Sequence, residues 1–206
     1  MTADNPSCPP SMSSVPSAVP RLAPFNPTAS DAISAALSLA ALSSADTLLD
    51  LGCGDGRVLL AAAEATPGLR CLGMDTDAGL VARARERLQQ AASLGGPAAE
   101  AAARVSVSEG NACAHSCQGA TAVFVYLVPA GLELVKPLLS SVLQRGGRVV
   151  SNMFRVPGWE HSACTVVRGC SVYLYAGQST GSSSSSSSSS SLPPALEQGG
   201  AAASLH

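Results

Sequence analysis

The sequence predicts an α/β fold: a doubly wound, mostly parallel sheet of seven strands that ends in an antiparallel hairpin. Three observations predict it. Short apolar extended runs alternate with stretches of helical periodicity through the middle of the chain, and repeated βα units build a parallel sheet with helices on both faces. The run from Thr121 to Leu127 is β-forming and apolar on both faces, as a central parallel strand must be. The last two extended runs are joined by a tight turn at Arg168-Gly169, which makes them a hairpin.

In chain order, Thr28 to Asp31 makes a helix-start pattern, and Ile33, Ala36, Leu37 and Ala40 repeat at helical spacing. Thr47 to Leu51 is a short apolar run ending in glycine-rich sequence, a buried strand. Val58 to Ala65 reads as helix and stops at Thr66-Pro67-Gly68. Arg70 to Asp75 gives the second strand, and Leu80, Val81, Ala84 and Leu88 form the apolar face of the next helix. After an alanine-rich stretch to Ala103, Val105 to Ser108 alternates like a strand. Leu132 to Gln144 is helical, with a bend or restart expected at Pro137. Arg148-Val149-Val150 opens a fifth strand, and Cys164–Val167 with Ser171–Tyr175 completes the sheet.

Of the 206 residues, 46% are hydrophobic and 13% charged, enough apolar surface for one core of ordinary size. That core is expected within 25–177. Residues 1–24, mostly Pro, Ser and Ala, and residues 178–206, with the serine run from Ser182 to Ser191, are expected to be disordered tails, because neither can bury enough surface to offset its ordering entropy. Aromatic residues make up 3% and net charge is −2, a balance that disfavours nucleic acid, since no basic excess is present to hold a phosphate backbone. No run approaches the ~20 apolar residues of a membrane span. Seven scattered cysteines and no secretory or arginine-rich leader pattern point to a reducing, intracellular setting, cytoplasmic rather than organellar.

The segment Asp50-Leu51-Gly52-Cys53-Gly54-Asp55-Gly56-Arg57 carries the chemistry. Glycines at alternate positions after a strand let the backbone turn sharply and approach a ligand, at the carboxyl edge where open α/β sheets bind. Read alone, the loop also fits a plain strand–helix turn. A dinucleotide fingerprint would need its third glycine where Arg57 stands. Asp50 suits a cationic amino group better than a pyrophosphate. Asp75, at the end of the second strand, is placed to take both hydroxyls of a ribose, although each carboxylate also has a bland reading as a solvated turn residue.

Asp50 to Arg57 resembles motif I of class I S-adenosylmethionine-dependent methyltransferases, and Gly73-Met74-Asp75 resembles their acidic second motif. Glu109-Gly110-Asn111-Ala112 is similar to their adenine loop, where Asp is commoner than this chain's Asn111; an amide oxygen can still accept from the exocyclic amine. A narrower likeness joins Phe25-Asn26-Pro27-Thr28, the glycine loop, Val123 to Pro129, Arg148 to Ser151, Pro157-Gly158-Trp159 and Tyr173 to Tyr175. In that order they resemble small bacterial-type methyltransferases related to the lysine methyltransferases of ATP synthase subunit c and the adenine nucleotide translocase. The membrane-anchoring segment of the mitochondrial members is absent from this sequence.

The resemblance implies S-adenosylmethionine as cofactor, bound by Asp50, Gly52, Cys53, Gly54, Asp55, Gly56, Asp75, Thr76, Asn111 and Ala112. It implies a methyl acceptor that is a protein lysine, with a small molecule as the alternative. Tyr126, at the end of the fourth strand, is the candidate catalytic residue: its ring or hydroxyl would face the sulfonium and the incoming amine, unless it is a core tyrosine. A nicotinamide-dependent oxidoreductase and a non-catalytic binding module are the rival readings. Cys113, His115 and Cys117 hint at zinc, but their one-residue gaps and missing fourth ligand argue against a metal. Trp159 is expected to pack beside the fifth strand, and His161 has no evident partner.

Overall fold

A computed structural model describes residues 23–111 and 119–176. The elements are α1 (Ser30–Ala40), β1 (Thr47–Leu51), α2 (Arg57–Ala65), β2 (Arg70–Asp75), α3 (Ala78–Ser93), α4 (Gly96–Ala103), β3 (Val105–Glu109), β4 (Ala122–Val125), α5 (Pro129–Gln144), β5 (Arg148–Asn152), β6 (Ala163–Val167) and β7 (Cys170–Ala176). One seven-stranded sheet runs in the order β3-β2-β1-β4-β5-β7-β6. The first five strands are parallel, and β7 is antiparallel to both of its neighbours. The expected seven-stranded α/β architecture with a terminal hairpin is therefore the observed one.

Alternation along each strand divides the core. Leu49 and Leu51 of β1 join Val123, Val125 and Val149 beneath the apolar face of α5, namely Leu132, Val135, Leu139 and Val142. Leu48, Phe124 and Val150 face the other way, against Ile33 and Ala36 of α1 and Val58, Leu59 and Ala62 of α2. Asp50 shares the α2-side face of β1 with Leu48, by the two-residue period of a strand. Strand order reverses between β1 and β4, so the chain departs in opposite directions from the ends of these neighbours and opens a crevice there.

One element was not anticipated and two local expectations need correction. The alanine-rich stretch holds a helix, α4, started by Gly95 and by Pro97 in its first turn. Helix α5 runs unbroken through Pro137; the carbonyl deprived of a partner belongs to exposed Glu133, where water can bond it. Strand β4, Ala122–Val125, is shorter than Thr121–Leu127, although Thr121 still bonds β1 and β5 through its backbone while its hydroxyl donates to Asp46 at 2.6 Å.

The folded region also reaches back to Ala23, which packs against the core. The tail residues 1–22 and 177–206, Ala112 and the Cys113/His115/Cys117 cluster lie outside the described residues. Among the described residues no helix is long and apolar enough to cross a membrane.

Candidate functional site

The loop after β1 is shaped by backbone that favours glycine: φ is 80° at Gly52, 54° at Gly54 and 73° at Gly56. Its amides fold over β2, with Gly52 and Cys53 donating to the Met74 carbonyl at 2.8 and 3.0 Å. A Cβ on Gly54 would lie 2.7 Å from the Phe25 ring, so glycine is what allows residues 23–28 to cross the loop. Between them opens a cleft of about 800 Å³ including its solvent-filled mouth, lined by Phe25, Asn26, Asp50, Gly54, Asp75 and Tyr126 among others. It lies at the β1/β4 reversal. Its size suits a small molecule.

Asp50 forms part of the cleft wall and is only 2% exposed. No hydrogen-bond donor among the described residues reaches its carboxylate. Burial first, then the charges of Asp75 and Asp55, push its pKa up to about 8. A buried acid so placed becomes a favourable anion only when a cation arrives beside it.

Asp75 is half-buried. It accepts the Gly54 amide at 2.8 Å and the Asp77 amide at 3.0 Å, one on each carboxylate oxygen. Each oxygen retains a lone pair, enough for a vicinal diol. Thr76 is exposed on the cleft wall. Gly110 lines the cleft and donates to the Asp75 carbonyl at 2.9 Å, which puts Asn111 one residue beyond the rim.

Two residues expected to bind a cofactor have other work as well. The Asp55 carboxylate is gripped by Arg57 at 2.6 Å and Arg87 at 2.8 Å. Burial would raise its pKa, but the two guanidiniums outweigh that and hold it below the usual range. Asp55 thereby ties the glycine loop to α3. Cys53 lines the cleft but is buried, and burial with the nearby carboxylates drives its thiol pKa far above the ordinary value, so it is no nucleophile. A Cβ on Gly73 would lie 2.8 Å from its sulfur, and Cys53 fills that space instead.

Tyr126 follows β4 and is half-buried in the cleft wall. Its hydroxyl accepts the Asn26 side-chain amide at 2.8 Å and points at the Met153 sulfur at 3.3 Å. Sequence reasoning placed neither Asn26 nor Met153 in the site. Asn26 lies 100 residues away along the chain, and no spacing rule connects it to Tyr126. Trp159 stacks edge-on against Tyr175, the β7 partner of Val149 on β5, at 5.7 Å, and His161 has a partner after all, Tyr173, at 5.3 Å. Among the described residues no cluster of side chains could hold a metal ion.

Comparison with known proteins finds methyltransferases. A family model described as the ANTKMT methyltransferase domain matches residues 50–163. A protein-lysine N-methyltransferase of Saccharolobus islandicus is 30% identical over 156 residues, which cover 74% of this chain and 92% of that protein. The adenine nucleotide translocase lysine N-methyltransferase of Mus musculus is 33% identical over 114 residues, 55% of this chain and 45% of that protein. The crystal structure of an RNA methyltransferase from Salinibacter ruber in complex with S-adenosyl-L-homocysteine superposes with a TM-score of 0.66 at 30% identity. That match covers 74% of this chain and 94% of the other.

Proposed function

The chain belongs to the ANTKMT methyltransferase family, and on that premise we propose that it transfers a methyl group from S-adenosylmethionine to the side-chain amine of a protein lysine. The observation that carries this reading is the acidic cleft. Asp50, Asp55, Asp75 and Asp77 all line it, and of the basic residues among those described only Arg57 does. Asp55 is already paired to Arg57 and Arg87, and Asp50 is fully ionised only beside a cation. The wall therefore gains negative charge when a cationic cofactor or side chain arrives, which a phosphate backbone would not bring about. The relative from Salinibacter ruber is an RNA methyltransferase; this charge pattern favours the lysine acceptor of the other two relatives.

The residues present fit the cofactor. Asp50, buried without a donor among the described residues, would take its ammonium group. Asp75 would take the ribose hydroxyls, and Gly52, Gly54 and Gly56 would let backbone approach the methionyl chain, with Thr76 and Asn111 towards the adenine. When bound, the cofactor supplies a methyl group on an already activated leaving group. What remains for the protein is alignment and an acceptor amine that has lost its proton, against an ordinary lysine pKa of ~10.4. Tyr126 supplies a hydroxyl and ring face at that point, and the partial burial around it disfavours the charged amine.

Calorimetry with S-adenosylmethionine, S-adenosylhomocysteine and NAD tests the cofactor: the first two should bind and NAD should not. Labelled methyl transfer to lysine-rich proteins, read by mass spectrometry, tests the acceptor; label confined to RNA or small molecules would refute lysine. Tyr126→Ala should lower turnover by about 100-fold while leaving cofactor affinity nearly intact, as expected for alignment lost in the transition state. Tyr126→Phe separates ring from hydroxyl. Full activity in both variants would make Tyr126 a packing residue.

A further inference from the structure

Three non-glycine residues among those described have positive φ: Ala41, Met153 and Arg168. Two have ordinary reasons. Ala41 is the left-handed cap of α1, its amide bonded to the Leu37 carbonyl, and Arg168 shares the β6–β7 hairpin turn with Gly169. Met153 has no such reason. It follows β5 with φ at 69°, in the centre of a three-residue turn closed by the Phe154 amide on the Asn152 carbonyl at 2.9 Å. With positive φ at its centre, a γ-turn of this kind is rare and strained.

The surroundings hold that turn from several sides. The Met153 amide donates to the Ser171 carbonyl at 2.7 Å, and the buried Ser151 hydroxyl donates to the Phe154 carbonyl at 2.7 Å. The Cys170 thiol reaches the buried Asn152 side chain at 3.5 Å. Strain held in place this firmly is characteristic of residues that must present a side chain in one direction. Its outcome here is a methionine 44% exposed whose sulfur lies 3.3 Å from the Tyr126 hydroxyl.

Position gives the side chain its meaning. Tyr126 lines the cleft and Met153 does not, so Met153 touches the hydroxyl from outside the cofactor's space. In-line displacement requires the nucleophile to arrive opposite the leaving group, so the acceptor must come from beyond the cofactor cleft. We propose that Met153 is a specificity-determining residue of the acceptor entrance, offering its thioether and methyl as the apolar surface against which the four-methylene stem of a lysine lies. This inference rests on the lysine reading above and names the residue that recognises the stem. A thioether suits the task because it is unbranched, polarisable and carries no charge to compete with the amine.

The probe is a nitrogen-centred analogue of S-adenosylhomocysteine bearing a four-carbon amine where the cofactor bears its methyl group. Wild-type protein should bind it about tenfold more tightly than S-adenosylhomocysteine, the scale of a few buried methylenes. Met153→Gly should lose most of that gain and keep its affinity for S-adenosylhomocysteine. Its melting temperature should be unchanged or higher, since glycine relaxes the positive φ. Met153→Leu should keep the gain. The proposal is overturned if Met153→Gly retains the gain, if wild type gains nothing from the arm, or if the glycine variant melts early and loses S-adenosylhomocysteine as well. Failure to label lysine in any protein, with the arm's gain intact in wild type and lost in Met153→Gly, would refute the lysine reading and still support Met153 at the entrance.

Discussion

Two aspartates bracket strand β1: Asp46 precedes its first residue and Asp50 precedes its last. Both are buried, at 8% and 2% exposure, yet their surroundings are opposite. Asp46 accepts the Ser43 amide and hydroxyl, each at 2.8 Å, the Thr121 hydroxyl at 2.6 Å and Arg148 at 2.7 Å. Burial pushes its pKa up, but these donors together outweigh it and hold the value at about 2. Asp50 has no donor among the described residues and sits at about 8. A carboxylate completed by its own protein knits the amino ends of the strands together; one left incomplete at the carboxyl ends waits for something else. Within four residues, one strand carries a stabilising acid and a binding acid.

The largest effect on this contrast is expected from Asp46→Ala. It removes four accepted bonds and leaves the Arg148 guanidinium without its carboxylate, a change that costs about 3 kcal/mol. Thermal or urea unfolding should register the loss. Cofactor affinity of the folded fraction should not move, because Asp46 is at the far end of β1. The pH dependence has a definite sign. A lowered folded-state pKa gives stability that is present above the ordinary value of 3.8 and lost as pH falls through about 2. Wild type should thus weaken across that acid window and the variant should not share that part of the decline.

Asp75→Ala acts at the other end. It should weaken S-adenosylmethionine binding by about 1.5–3 kcal/mol, the scale of hydrogen bonds to a charged group. Some stability should go too, because the Gly54 and Asp77 amides lose their acceptor. Calorimetry and melting curves on the same samples separate the two. Unchanged affinity in a folded variant would remove Asp75 from the ribose role.

How far this could be read in advance follows from what leaves a local trace. Strand β2 was legible to the residue because Thr66-Pro67-Gly68 stops the preceding helix and Asp75 ends an apolar run. The glycine loop was legible because its three positive-φ turns demand glycine. Helix α4 was not, since alanine has no apolar–polar period to follow. The difference between Asp46 and Asp50 was also hidden: their partners, or lack of them, come from Thr121 and Arg148, distant in sequence. That Asp55, a cleft-lining acid, also ties the glycine loop to Arg87 of α3 was hidden for the same reason. Asn26 and Met153 meet at the Tyr126 hydroxyl only through tertiary folding.

Asp50→Asn sharpens the comparison most directly. A carboxyl whose folded-state pKa is raised destabilises the cofactor-free protein progressively as pH climbs from its ordinary value of 3.8 to about 8. Replacing it with the neutral amide should therefore change nothing near pH 4 and stabilise the cofactor-free protein by about 2 kcal/mol at pH 8. That figure sits well below the full shift at 1.36 kcal/mol per unit, because the open cleft admits water. S-Adenosylmethionine affinity should fall in the same variant. In wild type it should strengthen as pH rises towards 8, since the ionised acid is the form that holds an ammonium group. A variant that is less stable at pH 8, or that binds as tightly as wild type, would show that Asp50 is completed like Asp46.

The smallest effect is expected from trimming the chain to residues 23–176. The segments removed are dominated by Pro, Ser, Ala and Gly and have too little apolar surface to add to a core. Neither bracketing aspartate takes a partner from them in the bonds described above, so melting temperature and cofactor affinity should both stay close to those of the full chain. The cut must stop there. Phe25 lies on Gly54 and Asn26 bonds Tyr126, so removing residues 1–28 should spare the Asp46 end of the sheet and weaken binding at the Asp50 end. Differential scanning fluorimetry and calorimetry on the two truncations give the comparison directly. A marked loss of stability in the shorter cut would mean that residues beyond 23–176 complete one end of β1. Equal cofactor affinity in both cuts would mean that residues 23–28 contribute nothing to the cleft they line.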